Sequence, residues 1–251
     1  MDFFAFPPLA FLLDLAYSGL LGLSTLLSPL TAASASLAIV LVTLLVRAAL
    51  VPAGISQARA EQTRARLAPR LRDIQKRWGK NPERLQREMM QLYRDENTSP
   101  FAGLLPILIQ APIIGLLYAI FLHPVIAGHP NELLTETLLG VPLGSSLAGA
   151  VAAGATDAAT LAVFAVLVLL IAAVGEVTRR LLRPEPAPPV EGSPLPAIPV
   201  GLLGVLQFAT AVVAIFVPLA AGLYLLVTVT WTLGQRLVLR RVYPPTPRIA
   251  A

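Results

Sequence analysis

The 251-residue chain has no cysteine, which excludes disulfides, thiolate metal sites, cysteine nucleophiles and lipid attachment through a thiol. Histidine is nearly as scarce. His123 and His129 are the only two, six positions apart and flanked by Pro and Gly. Two loop histidines supply too few donors for a metal centre, so no metal or other cofactor is expected. HExxH, GxSxG and paired aspartates are all missing, and Asp157 is the one acid near a span end in the outer half. An enzyme is therefore not expected. Charge is thin as well, with 13% of residues Asp, Glu, Lys or Arg against about 25% in a soluble domain. No basic residue precedes Arg47, which argues against a cleavable secretory signal at the N-terminus.

Apolar residues make up 56% of the chain, and they come in long runs. Residues 158–175 carry no charge, and neither do residues 192–235. As helix the second run would extend about 66 Å at 1.5 Å per residue. That equals roughly two crossings of a hydrocarbon core about 30 Å thick. The chain reads as an all-α membrane protein forming a single domain.

The net charge of +5 could suggest nucleic acid, but the distribution of basic residues argues for a membrane topology and against DNA. Of 19 Lys and Arg, 11 fall between Arg59 and Arg94, three at Arg179, Arg180 and Arg183, and four from Arg236 to Arg248. Such alternation is expected when basic loops remain in the cytoplasm. Five transmembrane helices satisfy both hydropathy and charge, near 34–55, 101–122, 158–178, 197–215 and 219–239. The N-terminus is then outside and the segment 56–98 is cytoplasmic. The loop 123–157 is outside, and the Pro-rich loop 183–196 is cytoplasmic. A tight turn at Val217–Pro218 lies outside, and the C-terminus is cytoplasmic. Residues 9–30 are assigned to an interfacial helix, with a sixth crossing as the alternative. Asp14 would cost about 2.5–3.5 kcal/mol at a bilayer centre, whereas an interface hydrates it.

The basic segment predicts a helical hairpin. Leu67, Leu71, Ile74 and Trp78 follow 4-3-4 spacing, and Leu85, Met89 and Leu92 follow 4-3. Between them, Gly79-Lys80-Asn81-Pro82 supplies a stop, a turn and a proline suited to a first helical turn. Two short apolar seams joined tightly bury each other as an antiparallel coiled-coil hairpin. Pro69 should bend the first arm. An amphipathic loop lying on anionic lipid is the plainer alternative.

Arg47 is the residue that points to function. It sits in LVTLLVRAALVP (residues 41–52), where a cation is costly unless it faces protein, water or a headgroup. Snorkelling to the inner interface is one solution. The other is an intramembrane polar cavity, which requires polar residues on other spans. Thr43 shares the face of Arg47 at four-residue spacing. Gln110 lies between Pro106 and Pro112, Gln207 and Thr210 interrupt the fourth span, and Thr228, Thr230 and Gln235 mark the fifth. None is an acid, so the set suits a transient anionic visitor better than a permanent ion pair. Taken singly, each is more often helix–helix glue. A small-solute or ion transporter using Arg47 as an anion site would draw on the same residues, although repeats and paired acids are missing.

Three stretches resemble the membrane core of the YidC family of insertases: VRAALVP (46–52), SPFAGLLPILIQAPIIGLLYAI (99–120) and FVPLAAGLYLLVTVTWTLGQR (216–236). The hairpin run LQREMMQLYRDE (85–96) is also similar. The resemblance implies five helices around a hydrophilic groove open to cytoplasm and lipid, with Arg47, Thr43 and Gln110 at the family's groove positions. It further implies insertion of nascent membrane proteins at the bacterial plasma membrane, with the lipid bilayer, the ribosome and a secretion channel as partners. Two departures stand out. Relatives often carry a Tyr-Trp pair in the last span, where this chain has Leu226-Val227, with Tyr224 two positions earlier. The second is the compact form that the resemblance to an actinobacterial member implies, in which no large domain is expected before the first span and no long basic extension at the tail.

Overall fold

The computed structural model describes residues 7–99, 101, 105–126, 128–182 and 208–243. Gln207, the Pro-rich loop 183–196 and most of the expected span 197–215 lie outside them. The protein is mostly helical, an all-α membrane protein, and among the described residues one loop holds four short strands. Among the described residues, three helices are long and apolar enough to cross a bilayer: Ala10–Leu27, Ala158–Leu181 and Leu219–Val242. A fourth is added if Ser34–Ala49 and the start of the next helix form one broken span, and Gln110–Leu122 is a shorter apolar helix. The chain divides into two compact units: residues 1–49, 112–183 and 204–233, and residues 50–111, 184–203 and 234–251.

In the first unit, α1 (Pro7–Leu27) turns Leu13, Tyr17, Leu20 and Ser24 inward at 4-3-4 spacing. This stripe packs on α2 (Ser34–Ala49), whose buried positions include Ser34, Ala35, Ser36 and Ala38. Small residues allow close helix approach where lipid supplies no hydrophobic drive. Asp14 lies at the edge of the stripe, half-exposed. Outside the stripe, Phe11, Leu12, Leu15 and Leu26 are exposed.

The loop expected at 123–157 contains regular structure. After α5 (Leu105–Leu122), strands β1 (Val125–Ile126) and β2 (His129–Pro130) pair antiparallel. A 3-10 turn follows at Glu132–Leu134, and then β3 (Thr137–Leu138) pairs with β4 (Val141–Pro142). A short helix α6 (Leu147–Ala152) closes the segment, capped by Ser146. Ile126, Leu133, Val141 and Leu143 anchor it in the core. Its polar groups tie helix ends together. Buried Asn131 donates through Nδ2 to the carbonyls of Ile120 (2.7 Å) and His123 (2.9 Å), so it caps the end of α5. Tyr17 of α1 accepts from the Glu132 amide at 2.8 Å. Sequence patterning missed these strands because each has only two residues, too few to show a period.

Helix α7 (Ala158–Leu181) begins at Asp157, whose carboxylate accepts from the Thr160 amide at 2.9 Å. The Thr160 side chain first, and then this amide, hold the Asp157 carboxyl below the usual range. Thr160, Phe164, Leu167, Ile171 and Gly175 form its buried stripe. At its far end Glu176 is bridged by Arg179 and Arg180. Helix α8 (Ala209–Phe216) packs on α7, and Val217 is extended ahead of Pro218. Helix α9 (Leu219–Val242) then starts with its first amides already paired. Leu219 donates to Ser145 and Ala220 to Leu143, at 2.8 and 2.9 Å. Gly222 lets α7 approach α9, because a Cβ there would stand 2.6 Å from Leu167 Cδ2.

The second unit holds the hairpin. The span expected at 34–55 breaks at Leu50, and helix α3 runs unbroken from Val51 to Trp78 through Pro69. Pro52 explains the break, because it has no N–H for the preceding turn and its ring crowds the carbonyl four residues back. Helix α4 (Pro82–Asp95) begins at Asn81, whose side chain accepts from the Arg84 amide. The two seams close only partly. Leu67 is buried, whereas α4 buries none of its side chains fully. Polar contacts supplement them: Glu96 accepts from Arg66 (2.8 Å) and Arg70 (2.6 Å), and the Arg84 guanidinium stacks 3.7 Å from the Trp78 ring centre. Arg59 reaches the Tyr243 hydroxyl at 3.1 Å.

Candidate functional site: a cation facing hydroxyls inside the helices

Arg47 occupies the last turn of α2 and is half-buried. The helix break just beyond it leaves α2 with a negative dipole end, and a cation in a last turn gains about 0.3–1 kcal/mol from that field. Among the described residues, no carboxylate stands within ion-pair distance of Arg47. Its neighbour is instead the phenol of Tyr224 on α9, which lies within electrostatic reach of Arg47 and of Thr228. That hydroxyl completes no hydrogen bond among the described residues.

Tyr224 is 3% exposed, and its ring packs against Tyr118 and Phe121 of α5 with centroids 6.0 and 5.7 Å apart. The buried Thr228 Oγ1 also lacks a partner among the described residues. Among the described residues these two hydroxyls are unpaired, and that of Tyr224 lies beside the Arg47 cation. Leaving such groups unsatisfied costs about 1–3 kcal/mol each. The site is therefore suited to water or to an anionic group able to accept from both Arg47 and Tyr224.

The sequence-selected residues fall in different places. Thr43 is buried on α2, and its hydroxyl donates to the Ile39 carbonyl at 2.6 Å, so its own helix already engages it. Thr210 is half-buried on α8. Thr230 is exposed and bonds back to Leu226, while Thr228 faces Tyr224. Gln110 and Gln235 belong to the second unit, where Gln235 lies over buried Gly54. Gln207 is outside the described residues. Tyr224 and Tyr118 were absent from the sequence-selected set. The signal for Tyr224 was its four-residue spacing from Thr228, the same spacing that joins Thr43 to Arg47.

Over residues 26–246 the chain matches the family described as 60Kd inner membrane protein. It is 30% identical to the membrane protein insertase YidC of Streptomyces avermitilis over 224 residues, 84% of this chain and 52% of that protein. The membrane protein insertase YidC of Clostridium perfringens is 46% identical over 83 residues, 33% of this chain and 35% of that protein. For the Pasteurella multocida protein of the same name, identity is 41% over 93 residues, 37% of this chain and 17% of that protein. The chain thus spans about half the length of the Streptomyces relative and less of the other two.

Proposed function

The chain belongs to the 60Kd inner membrane protein family, and on that premise we propose that it is a membrane protein insertase working through a hydrophilic groove centred on Arg47. The observation that carries the reading is a half-buried arginine with no carboxylate partner among the described residues, beside the Tyr224 hydroxyl, which like Thr228 Oγ1 has no hydrogen-bond partner among those residues. A permanent ion pair would leave no room for a visitor. An incomplete polar site accepts one.

An incoming apolar helix gains transfer free energy on reaching lipid. Its barrier is the short polar tail, because each charged residue costs about 2.5–3.5 kcal/mol at the bilayer centre. A wet groove that penetrates partway shortens the apolar path. Arg47 attracts an acidic tail more strongly there than in bulk water, since the local dielectric is lower. A potential negative inside then drives the tail outward by about 2.3 kcal/mol per charge per 100 mV. The apolar segment leaves sideways into lipid, and no covalent bond changes. Closure on the outer side is supported by the 123–157 loop, which bonds to the start of α9 and the end of α5.

In this reading five helices surround the groove, α1 lies in the outer interface, and the α3–α4 hairpin is cytoplasmic. Both the loosely closed hairpin and its basic α3 arm suit recruitment of a nascent chain on its ribosome. Gln110, Gln207, Thr210 and Gln235 are further proposed contacts along the substrate path. The setting is the bacterial plasma membrane, with the N-terminus outside and the C-terminus inside, and a secretion channel is a second partner. The test is reconstitution of the full chain in liposomes with a nascent single-span protein, scored by protease protection. Protected product that depends on the chain is expected. Solute flux without protected product would overturn the reading in favour of a transporter.

A further inference from the structure

The loop between α5 and α7 has a composition unusual for a segment in water. From Thr137 to Thr156 it carries no charged residue. At the tip of the β3–β4 hairpin, Leu139 and Gly140 both have positive φ, at 52° and 84°. Two-residue turns of this kind favour Asn-Gly or Gly-Gly, and a left-handed leucine is an outlier for a bulky side chain. Leu139 is nevertheless 79% exposed, so no packing within the chain compensates for the strain. Val151 on α6 is also exposed.

The position of the hairpin identifies what covers that leucine. Strand β3 packs on α2 and β4 on α7. Leu161, Val166, Leu169 and Leu170 of α7 expose an aliphatic surface of the kind a spanning helix presents to lipid. Helix α6, which follows the hairpin, also packs on α7. We propose that the β3–β4 hairpin and α6 are seated in the adjoining bilayer leaflet, with Leu139 inserted among acyl chains as an anchor. The bilayer is the fitting occupant because the segment is uncharged and packs on a helix that exposes aliphatic side chains. The inference rests on α7 crossing the membrane.

The absence of cysteine permits a direct test. Single variants Leu139→Cys, Val151→Cys, Glu136→Cys and Leu169→Cys of the full chain are spin-labelled and reconstituted in liposomes. Collision rates are then measured with oxygen, which partitions into lipid, and with a water-soluble nickel chelate. Labels at 139 and 151 should favour oxygen several-fold, while exposed Glu136 should favour nickel. Nickel access at 139 equal to that at 136 would overturn the proposal. Shielding of 139 from both reagents would also overturn it and assign the tip to a protein contact. Nickel access at 169 would separately remove the crossing of α7. In a second measurement, Leu139→Asn relieves the backbone strain and should raise the thermal midpoint in detergent, while shifting a label at 151 toward water. An unchanged depth at 151 would show that Leu139 is no anchor.

Discussion

Replacing Tyr224 with phenylalanine separates its two roles, packing and polarity. The ring is 3% exposed and touches Tyr118 and Phe121, so truncation to alanine would cost about 3–5 kcal/mol. Phenylalanine keeps those contacts and deletes only a hydroxyl that has no hydrogen-bond partner among the described residues. A buried unpaired hydroxyl carries a penalty of about 1–3 kcal/mol, so the variant should be at least as stable as the parent. Each kcal/mol recovered would raise the thermal midpoint by about 2–4 °C for a chain of this size. Function should move the other way. If Tyr224 and Arg47 jointly bind a substrate carboxylate, the variant loses one charge-assisted hydrogen bond worth about 1.5–3 kcal/mol. Insertion of a client with one aspartate in its tail should then slow by roughly 10- to 100-fold. An asparagine-tailed client should be little affected. The assay is the initial rate of protease-protected product for the two clients, alongside a melting curve in detergent. Tyr224→Phe that destabilises the fold, or slows both clients equally, would refute the reasoning.

Arg47→Ala should impair acid-tailed clients more than neutral ones, and Arg47→Lys should restore part of the difference. Equal defects across both client types would exclude the electrostatic role. At Gly222, alanine would force Leu167 aside and should cost about 1–3 kcal/mol, read as a lower midpoint in detergent. Leu167→Ala in the same chain should recover part of the loss. Asp157 has its carboxyl held low by the Thr160 side chain and, after it, by the Thr160 amide. Its stabilising contribution is therefore complete above the ordinary carboxylate range, begins to fall below about pH 4, and is lost through the depressed value. Hydrogen exchange at the Thr160 amide, compared with Asp157→Asn across acid pH, should show the parent losing relative protection. Parallel profiles would contradict the assignment.

How far the sequence led depended on how much local chemistry each feature carried. The turn between the hairpin arms was legible because Gly79, Asn81 and Pro82 each have a distinct backbone or capping role, and the helices end and begin around them. Arg47 was legible because an isolated cation in apolar sequence has few explanations. The break at Leu50 was not read, although Pro52 signals it, because hydropathy continues smoothly across it. Tyr224 was passed over for a different reason. Its proximity to Arg47 joins two helices, a tertiary relation that residue spacing along α9 only hints at. The two hairpins after α5 depend on Asn131 and Tyr17 bonding distant backbone groups, which no periodic pattern records.

The most direct test of an insertase centred on Arg47 is photocrosslinking to a ribosome-bound nascent membrane protein. Probes would be placed singly at positions 43, 110, 224 and 226 of the full chain. The account predicts adducts strongest at 224, which disappear when the client's apolar segment is deleted. A folded protein that forms no adduct at any of these positions, with the nascent chain present, would contradict it.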